Sequence, residues 1–185
     1  QLADNGRVIL ERRLAFITEL AEVFQVYYDR VALGREKVTL EYSTTIKEND
    51  YLQSLRGNFD RDRVLTYTTV GIHRDDITLS IEGYPVKRLG SQGQKKSFLT
   101  ALKFAQFAYL AQQKGVKPLL LLDDIFDKLD ADRVSQIIRI VSEENFGQVF
   151  ITDTNRGHID EILRLHAIDY KIFKVDQGAI GDFKF

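Results

Sequence analysis

The sequence predicts an α/β fold, and three observations carry the prediction. A run of four leucines, Leu119, Leu120, Leu121 and Leu122, ends in Asp123 and Asp124, as a buried strand reaching a sheet edge does. Before it, residues 98–111 are apolar nearly all round, as a buried helix would be. After it, helix and strand patterns alternate, which argues for a layered domain with a partly parallel sheet.

The elements follow in order. Leu10, Leu14, Ile17, Ala21, Phe24, Tyr28 and Val31 recur at helical spacing, so residues 8–31 read as a long amphipathic helix ended by Gly34. Residues 38–43 read as a strand with Val38, Leu40 and Tyr42 on one face. Asn49 or Asp50 caps a short helix through Leu55, broken at Gly57-Asn58. Residues 64–70 are rich in strand formers. Residues 71–76 form a polar turn, 77–81 a second strand, and Gly83-Tyr84-Pro85 a further turn. The four-leucine run is expected to be a central strand covered on both faces. Residues 131–142 read as an amphipathic helix, 148–152 as a short buried strand, 159–165 as a helix and 170–175 as a last strand. A soft boundary near residue 64 divides the chain into 1–63 and 64–185.

Composition narrows the functions. Hydrophobic residues make up 44% of the 185, enough for a real core. The formal charge is −1, so the chain as a whole is no basic nucleic-acid glove. It has no cysteine, which excludes disulfides, Cys-ligated zinc and thiol catalysis. His73, His158 and His166 lie far apart, without metal-ligand spacing. No apolar run approaches the ~20 residues of a membrane span, so a soluble cytoplasmic protein is expected. The chain contains no Met and opens at Gln1 inside a helical pattern, which suggests a piece of a longer protein.

Charge is unevenly placed. From Gly83 to Leu122 no residue is acidic, while Lys87, Arg88, Lys95, Lys96, Lys103, Lys114 and Lys117 are basic. Asp123, Asp124, Asp127, Asp130 and Asp132 then follow within ten positions. This is either ordinary solvated surface or an anion-binding pole followed by a metal-binding pole. Phosphate chemistry uses both, because Mg²⁺ is held while phosphate charge is neutralised. A hydrophobic strand ending in two carboxylates suits a Walker B motif, with Asp123 the metal candidate and Asp124 the group that orients the attacking water.

Residues 90–97, Gly-Ser-Gln-Gly-Gln-Lys-Lys-Ser, open the buried helix. Free N–H groups at a helix start attract an anion, and Ser91 with Lys95 or Lys96 adds contacts. The alternative is a Ser-capped helix whose lysines oppose the dipole. The segment nearly fits a P-loop, but Lys95 stands where the second Gly belongs and Lys87-Arg88-Leu89 is no hydrophobic strand. The chain therefore has no Walker A of its own.

A signature loop, long helix, Walker B strand and D-loop in that order resemble the C-terminal half of an ABC/SMC-type P-loop ATPase head. Ser91-Gln92-Gly93-Gln94 resembles the signature, and Leu129-Asp130 the end of the D-loop. Within that class the RecF family is the nearest resemblance. Gly71-Ile72-His73-Arg74-Asp75-Asp76 is similar to its Gly-Pro-His-Arg-Asp-Asp motif, with Ile72 replacing Pro, and Asp124 matches its second Walker B Asp. Residues 1–63 are then part of the helical arm, lobe II, and 64–185 the C-terminal part of the head.

That resemblance implies ATP and Mg²⁺ as cofactors and ATPase activity for the full-length protein, the fragment alone being inactive. Ser91, Gly93 and Gln94 would touch the γ-phosphate of a partner subunit's ATP. Asp123 would hold Mg²⁺, Asp124 would be catalytic, and Asp130 would couple the two sites. Asp153 or Thr154 would stand at the switch position where transporters carry His. The nearest histidine, His158, reads as a surface residue. The resemblance also implies an ATP-dependent homodimer on single-stranded, double-stranded or gapped DNA. It further implies RecR and RecO as partners, RecA loading at gaps, roles in DNA repair, replication, recombination and the SOS response, and a cytoplasmic, nucleoid-associated location. His73, Arg74 and Asp75 carry no implied role beyond a hydrogen-bonded turn bracing the sheet. Two rivals stand beside this reading. One is a Mg²⁺-dependent Toprim-like nuclease or topoisomerase domain using Asp123, Asp124 and Asp127 with Glu82. The other is a non-hydrolysing ABC-like DNA clamp.

Overall fold

The computed structural model describes residues 2–46, 51–143, 146–154 and 170–182. Six helices and seven strands form within them, the strands in three small sheets. The helix expected at 159–165, like His158 and His166, lies outside the described residues.

Helix α1 (Leu2–Ala32) begins earlier than its periodicity announced. Its second half buries Ile17, Leu20, Phe24, Tyr27, Tyr28 and Val31 at steps of three and four, one face of a helix. Gly34, at φ +64°, ends it by donating its N–H to the Asp29 carbonyl at 2.8 Å. Its first half packs differently. A Cβ at Gly6 would meet the Tyr51 ring at 2.6 Å, so the glycine is what lets that ring lie on the helix. Tyr51 joins Ile46 and Val70 in a satellite cluster with Ala3, Leu10, Leu55 and Ile72.

Strand β1 (Val38–Ser43) pairs antiparallel with β2 (Asp76–Ile81), Val38 opposite Ile81, and β2 pairs with β3 (Tyr84–Pro85). Between β1 and β2 lie α2 (Tyr51–Gly57) and α3 (Phe59–Leu65). The strand expected at 64–70 does not form. Asp60 and Asp62 favour the first turn of α3, and Asp62 then accepts from the Thr69 N–H and hydroxyl, folding 66–70 back as a loop. Strand β1, before residue 64, and β2, after it, share one sheet.

Helix α4 (Val86–Leu89) leads into α5 (Gln92–Lys114), the central helix. Its Phe98, Ala101, Phe104 and Ala105 are buried against α1. Ring pairs tie the core together: Phe24 to Phe98 at 4.6 Å, Tyr27 to Phe104 at 5.7 Å and Phe107 to Phe146 at 4.8 Å between centroids. Strand β4 (Leu120–Leu122) runs parallel to β5 (Val149–Ile151), with α6 (Ala131–Glu143) between them in sequence. Leu120 and Leu122 are buried, but Leu119 and Leu121 are 61% and 64% exposed, and Phe150, opposite Leu121, is 45% exposed. The four-leucine strand is thus covered on one face among the described residues, and β5 is half-buried. The last strand appears as β6 (Phe173–Asp176), hairpinned to β7 (Ala179–Asp182). No helix among the described residues is long and apolar enough to cross a membrane.

Candidate nucleotide site

The parallel pairing of β4 and β5 delivers the acidic residues. The ladder continues past the strands, with Thr152 N donating to Leu122 O at 3.0 Å and Asp124 N to Thr152 O at 3.1 Å. Both strands therefore end at one edge, with Asp123, Asp124 and Thr152 together. The Thr152 hydroxyl donates to Asp123 Oδ1 and accepts from the Asp124 N–H at 3.1 Å. Asp124 turns out of the strand at φ +47°, a conformation that short polar residues tolerate best. Both aspartates are exposed. Asp153 and Thr154 follow Thr152 directly, Asp153 half-buried and Thr154 exposed.

The start of α5 lies beside this edge. Ser91 is its N-cap: the Ser91 Oγ accepts from Gln94 N at 3.1 Å, and Gln94 Oε1 accepts from Ser91 N at 2.8 Å. This reciprocal capping box is the local reason that the helix starts here. Gly93 packs against the turn before Asp130, where a Cβ would stand 3.2 Å from the Lys128 carbonyl oxygen. Lys96 does not wait for an outside anion. Its Nζ bonds the Asp124 carbonyl, approaches Asp124 Oδ2 at 3.2 Å and lies 3.8 Å from Asp127. Asp130 heads α6, its Oδ1 accepting from Arg133 N at 2.8 Å.

Three residues absent from the motif reading bind these parts together. Glu36, after α1, accepts from the Tyr28 hydroxyl, from Gln94 Nε2 at 3.1 Å and from Arg133 Nη2 at 3.1 Å. Burial alone would raise the Glu36 carboxyl, but these three donors outweigh it and hold it below the usual carboxylate range. Burial, reinforced by the bond to Glu36, pushes the Tyr28 hydroxyl well up. Their only sequence trace was a Tyr in the stripe of α1 and charges near helix ends.

The 71–76 turn is a brace. Arg74 N donates to Gly71 O at 2.9 Å, and the Arg74 guanidinium sits 5.6 Å from the Tyr67 ring centroid. His73 bonds Thr68 O at 3.0 Å. Asp75 accepts from the Tyr42 and Thr44 hydroxyls, fastening the turn to β1, and Arg13 of α1 donates to Ile72 O at 2.7 Å.

Among the described residues, no three His, Cys, Asp or Glu side chains converge as a metal cage. Mg²⁺ at a phosphate needs none, because it keeps several waters and takes one or two carboxylates with substrate oxygens. An exposed Asp123 oriented by Thr152 fits that requirement. The Toprim-like arrangement finds no support. Asp127 faces Lys96 and Lys128, and Glu82 sits in the β2–β3 turn of another sheet, accepting from Lys37 N.

No family model matches the chain. Curated relatives match over nearly all of it. A DNA replication and repair protein RecF of Bacteroides thetaiotaomicron is 45% identical over 181 residues, 98% of this chain and 49% of that protein. RecF proteins of Parabacteroides distasonis and Flavobacterium johnsoniae are each 46% identical, over 180 and 175 residues. A solved RecF–ATPrS structure superposes with TM-score 0.73 at 26% identity, over 99% of this chain and 48% of that one. The chain fits the C-terminal half of a RecF protein. It spans about half the length of the curated relatives that it matches. A solved SMC ATPase with TM-score 0.54 at 17% identity shares the fold, over 94% of this chain. The α/β architecture is consistent with the C-terminal half of an ABC/SMC-type head.

Proposed function

We propose that this chain supplies the signature, Walker B and D-loop segments of a RecF-type DNA-repair ATPase, and that ATP drives the full-length protein to dimerise on DNA. One observation carries the reading: β4 and β5 end together, with Asp123, Asp124 and Thr152 at one edge and the start of α5 tied to it through Lys96. The similarity to RecF proteins and to a RecF–ATPrS structure supports ATP as the ligand.

In this mechanism Ser91, Gly93 and Gln94 face the γ-phosphate of a partner subunit's ATP. Asp123 would hold Mg²⁺, which would supply charge to neutralise the phosphates. Asp124 accepts a hydrogen bond from the attacking water and orients it. Lys96 keeps that carboxylate at the strand edge until nucleotide competes for it. Asp130 couples the two sites of the dimer, and Asp153 or Thr154 senses the γ-phosphate. Residues 1–63 are part of the helical arm and residues 64–185 the C-terminal part of the head. The dimer binds single-stranded, double-stranded or gapped DNA, works with RecR and RecO to load RecA at gaps, and acts in the cytoplasm on the nucleoid during recombination, replication and the SOS response.

Asp124→Asn tests the assignment in the full-length protein. Asn tolerates the positive φ and keeps the side chain's shape. The expected result is at least about tenfold slower ATP turnover, ~1.4 kcal/mol of lost transition-state stabilisation, with an ATP-bound dimer accumulating in light scattering. Parental turnover in this variant would remove Asp124 from the water-orienting role. Dimerisation with no turnover in the parent itself would favour the non-hydrolysing clamp.

A further inference from the structure

Glu36 and Arg133 stand outside every motif, yet they meet half-buried where three helices approach one another. Their side chains are only 16% and 11% exposed and bond at 3.1 Å. Each is fully used. Glu36 takes Gln94 and Arg133 on Oε1 and Tyr28 on Oε2. Arg133 gives Nη1 to the buried Ser97 Oγ at 2.8 Å, Nη2 to Glu36, and Nε towards Asp130 Oδ2 at 3.4 Å. The end of α1, the start of α5 and the start of α6 therefore converge on one ion pair.

A buried ion pair adds little stability by itself, because desolvation offsets the attraction. Its geometry is what differs from an apolar contact. The planar guanidinium fork holds three spread acceptors in one rigid plane, a geometry that the compact ammonium of a lysine does not fix despite its three donors. Asp130 of the D-loop is within its reach, and Gln94 of the signature segment is bonded to its partner Glu36. Gln94 is held twice: its oxygen by Ser91 N and its nitrogen by Glu36. Without Glu36 the second restraint is gone and the side chain regains rotamer freedom.

We propose that Glu36 and Arg133 form a clamp that fixes Gln94 relative to Asp130, so that the signature and D-loop of one subunit meet the partner's nucleotide as a single unit. Both are positioning residues; neither touches nucleotide. The inference rests on the dimer reading above.

A double-mutant cycle in the full-length protein tests it, with ATP-dependent dimerisation followed by light scattering. Gln94→Ala and Asp130→Ala are made singly and together, in the parent and in the Arg133→Lys background. The expected result is non-additivity of about fivefold in the dimer dissociation constant in the parent, falling to near one with Arg133→Lys. A merely structural Arg133 would lower the melting temperature and leave the coupling intact, and that result would overturn the clamp. Should Arg133→Lys fail to fold, the same cycle in Glu36→Gln, which keeps the shape and removes the charge, decides by the same criterion. A parent protein that does not dimerise with ATP would sink the function and the clamp together. A parent that dimerises with strictly additive effects would sink the clamp alone.

Discussion

Ser91 answers two descriptions. Its Oγ accepts from Gln94 N as a helix cap, and a hydroxyl that accepts still has its own proton to donate outward. Capping and phosphate contact are therefore compatible, and they separate by substitution. Asp caps as well as Ser, so Ser91→Asp is expected to leave stability within roughly 0.5 kcal/mol of the parent. It would set a carboxylate against the partner's γ-phosphate, and ATP-driven dimerisation should be lost. Ser91→Ala should cost about 1 kcal/mol in denaturant unfolding as the cap disappears. A Ser91→Asp protein that dimerises like the parent would reduce residues 90–97 to a capped helix start. At this scale the sequence disclosed the residues whose spacing is local. Ser91, Gly93 and Gln94 lie within one helical turn, and Asp123 and Asp124 follow a visible strand. The anion contact expected of Lys95 or Lys96 has a rival at Lys96, whose partners Asp124 and Asp127 lie beyond the rest of α5, a loop and β4. Glu36 and Arg133 stand 97 residues apart, and no local pattern announces such a pair.

Helices α1, α5 and α6 hold the site from behind; α1 and α6 were legible from apolar residues at helical spacing, and α5 from a run that is apolar nearly all round. The failures have a common physics. Residues 64–70 carry strand formers but find no partner strand, and the acidic first turn of α3 prevails. Four leucines in a row predict burial on both faces, but burial on the second face depends on what else packs there. Strand β7 exists because β6 turns back at Gln177 and Gly178, both at positive φ, a turn too short to read as an element boundary. The packing account makes its own prediction. Ile137 of α6 is 0% exposed, so Ile137→Ala is expected to cost about 2–5 kcal/mol in urea unfolding. Leu99 on the outer side of α5 is 57% exposed, and Leu99→Ala should cost less than about 1 kcal/mol. Equal losses at the two positions would contradict the burial of α6 against α5 and α1.

Across the whole chain, the arrangement presents chemistry without a grip. What faces the proposed nucleotide is the first turn of α5 and a set of carboxylates at the β4–β5 edge. The carboxylates repel phosphate until a cation is held, and one helix start offers only a few N–H groups. The strong phosphate holder of this class is a glycine-rich loop between a strand and a helix, with a lysine on the phosphates. Residues 90–97 do not make one. Lys95 occupies the second glycine position, and Ser91 with Gln94 closes the turn into a capping box. The same sheet points the same way: among the described residues, Leu119, Leu121 and Phe150 leave one apolar face exposed. Large open apolar faces mark places where protein packs against protein. The nucleotide is therefore expected to be held chiefly by residues outside these 185, with this chain closing over it from one side. Titration calorimetry of the isolated chain with ATP and Mg²⁺ should show no binding in the micromolar range, while the full-length protein binds. Micromolar or tighter binding by residues 1–185 alone would mean that the start of α5 and the β4–β5 edge suffice to hold ATP, and would overturn the division of labour on which the dimer mechanism rests.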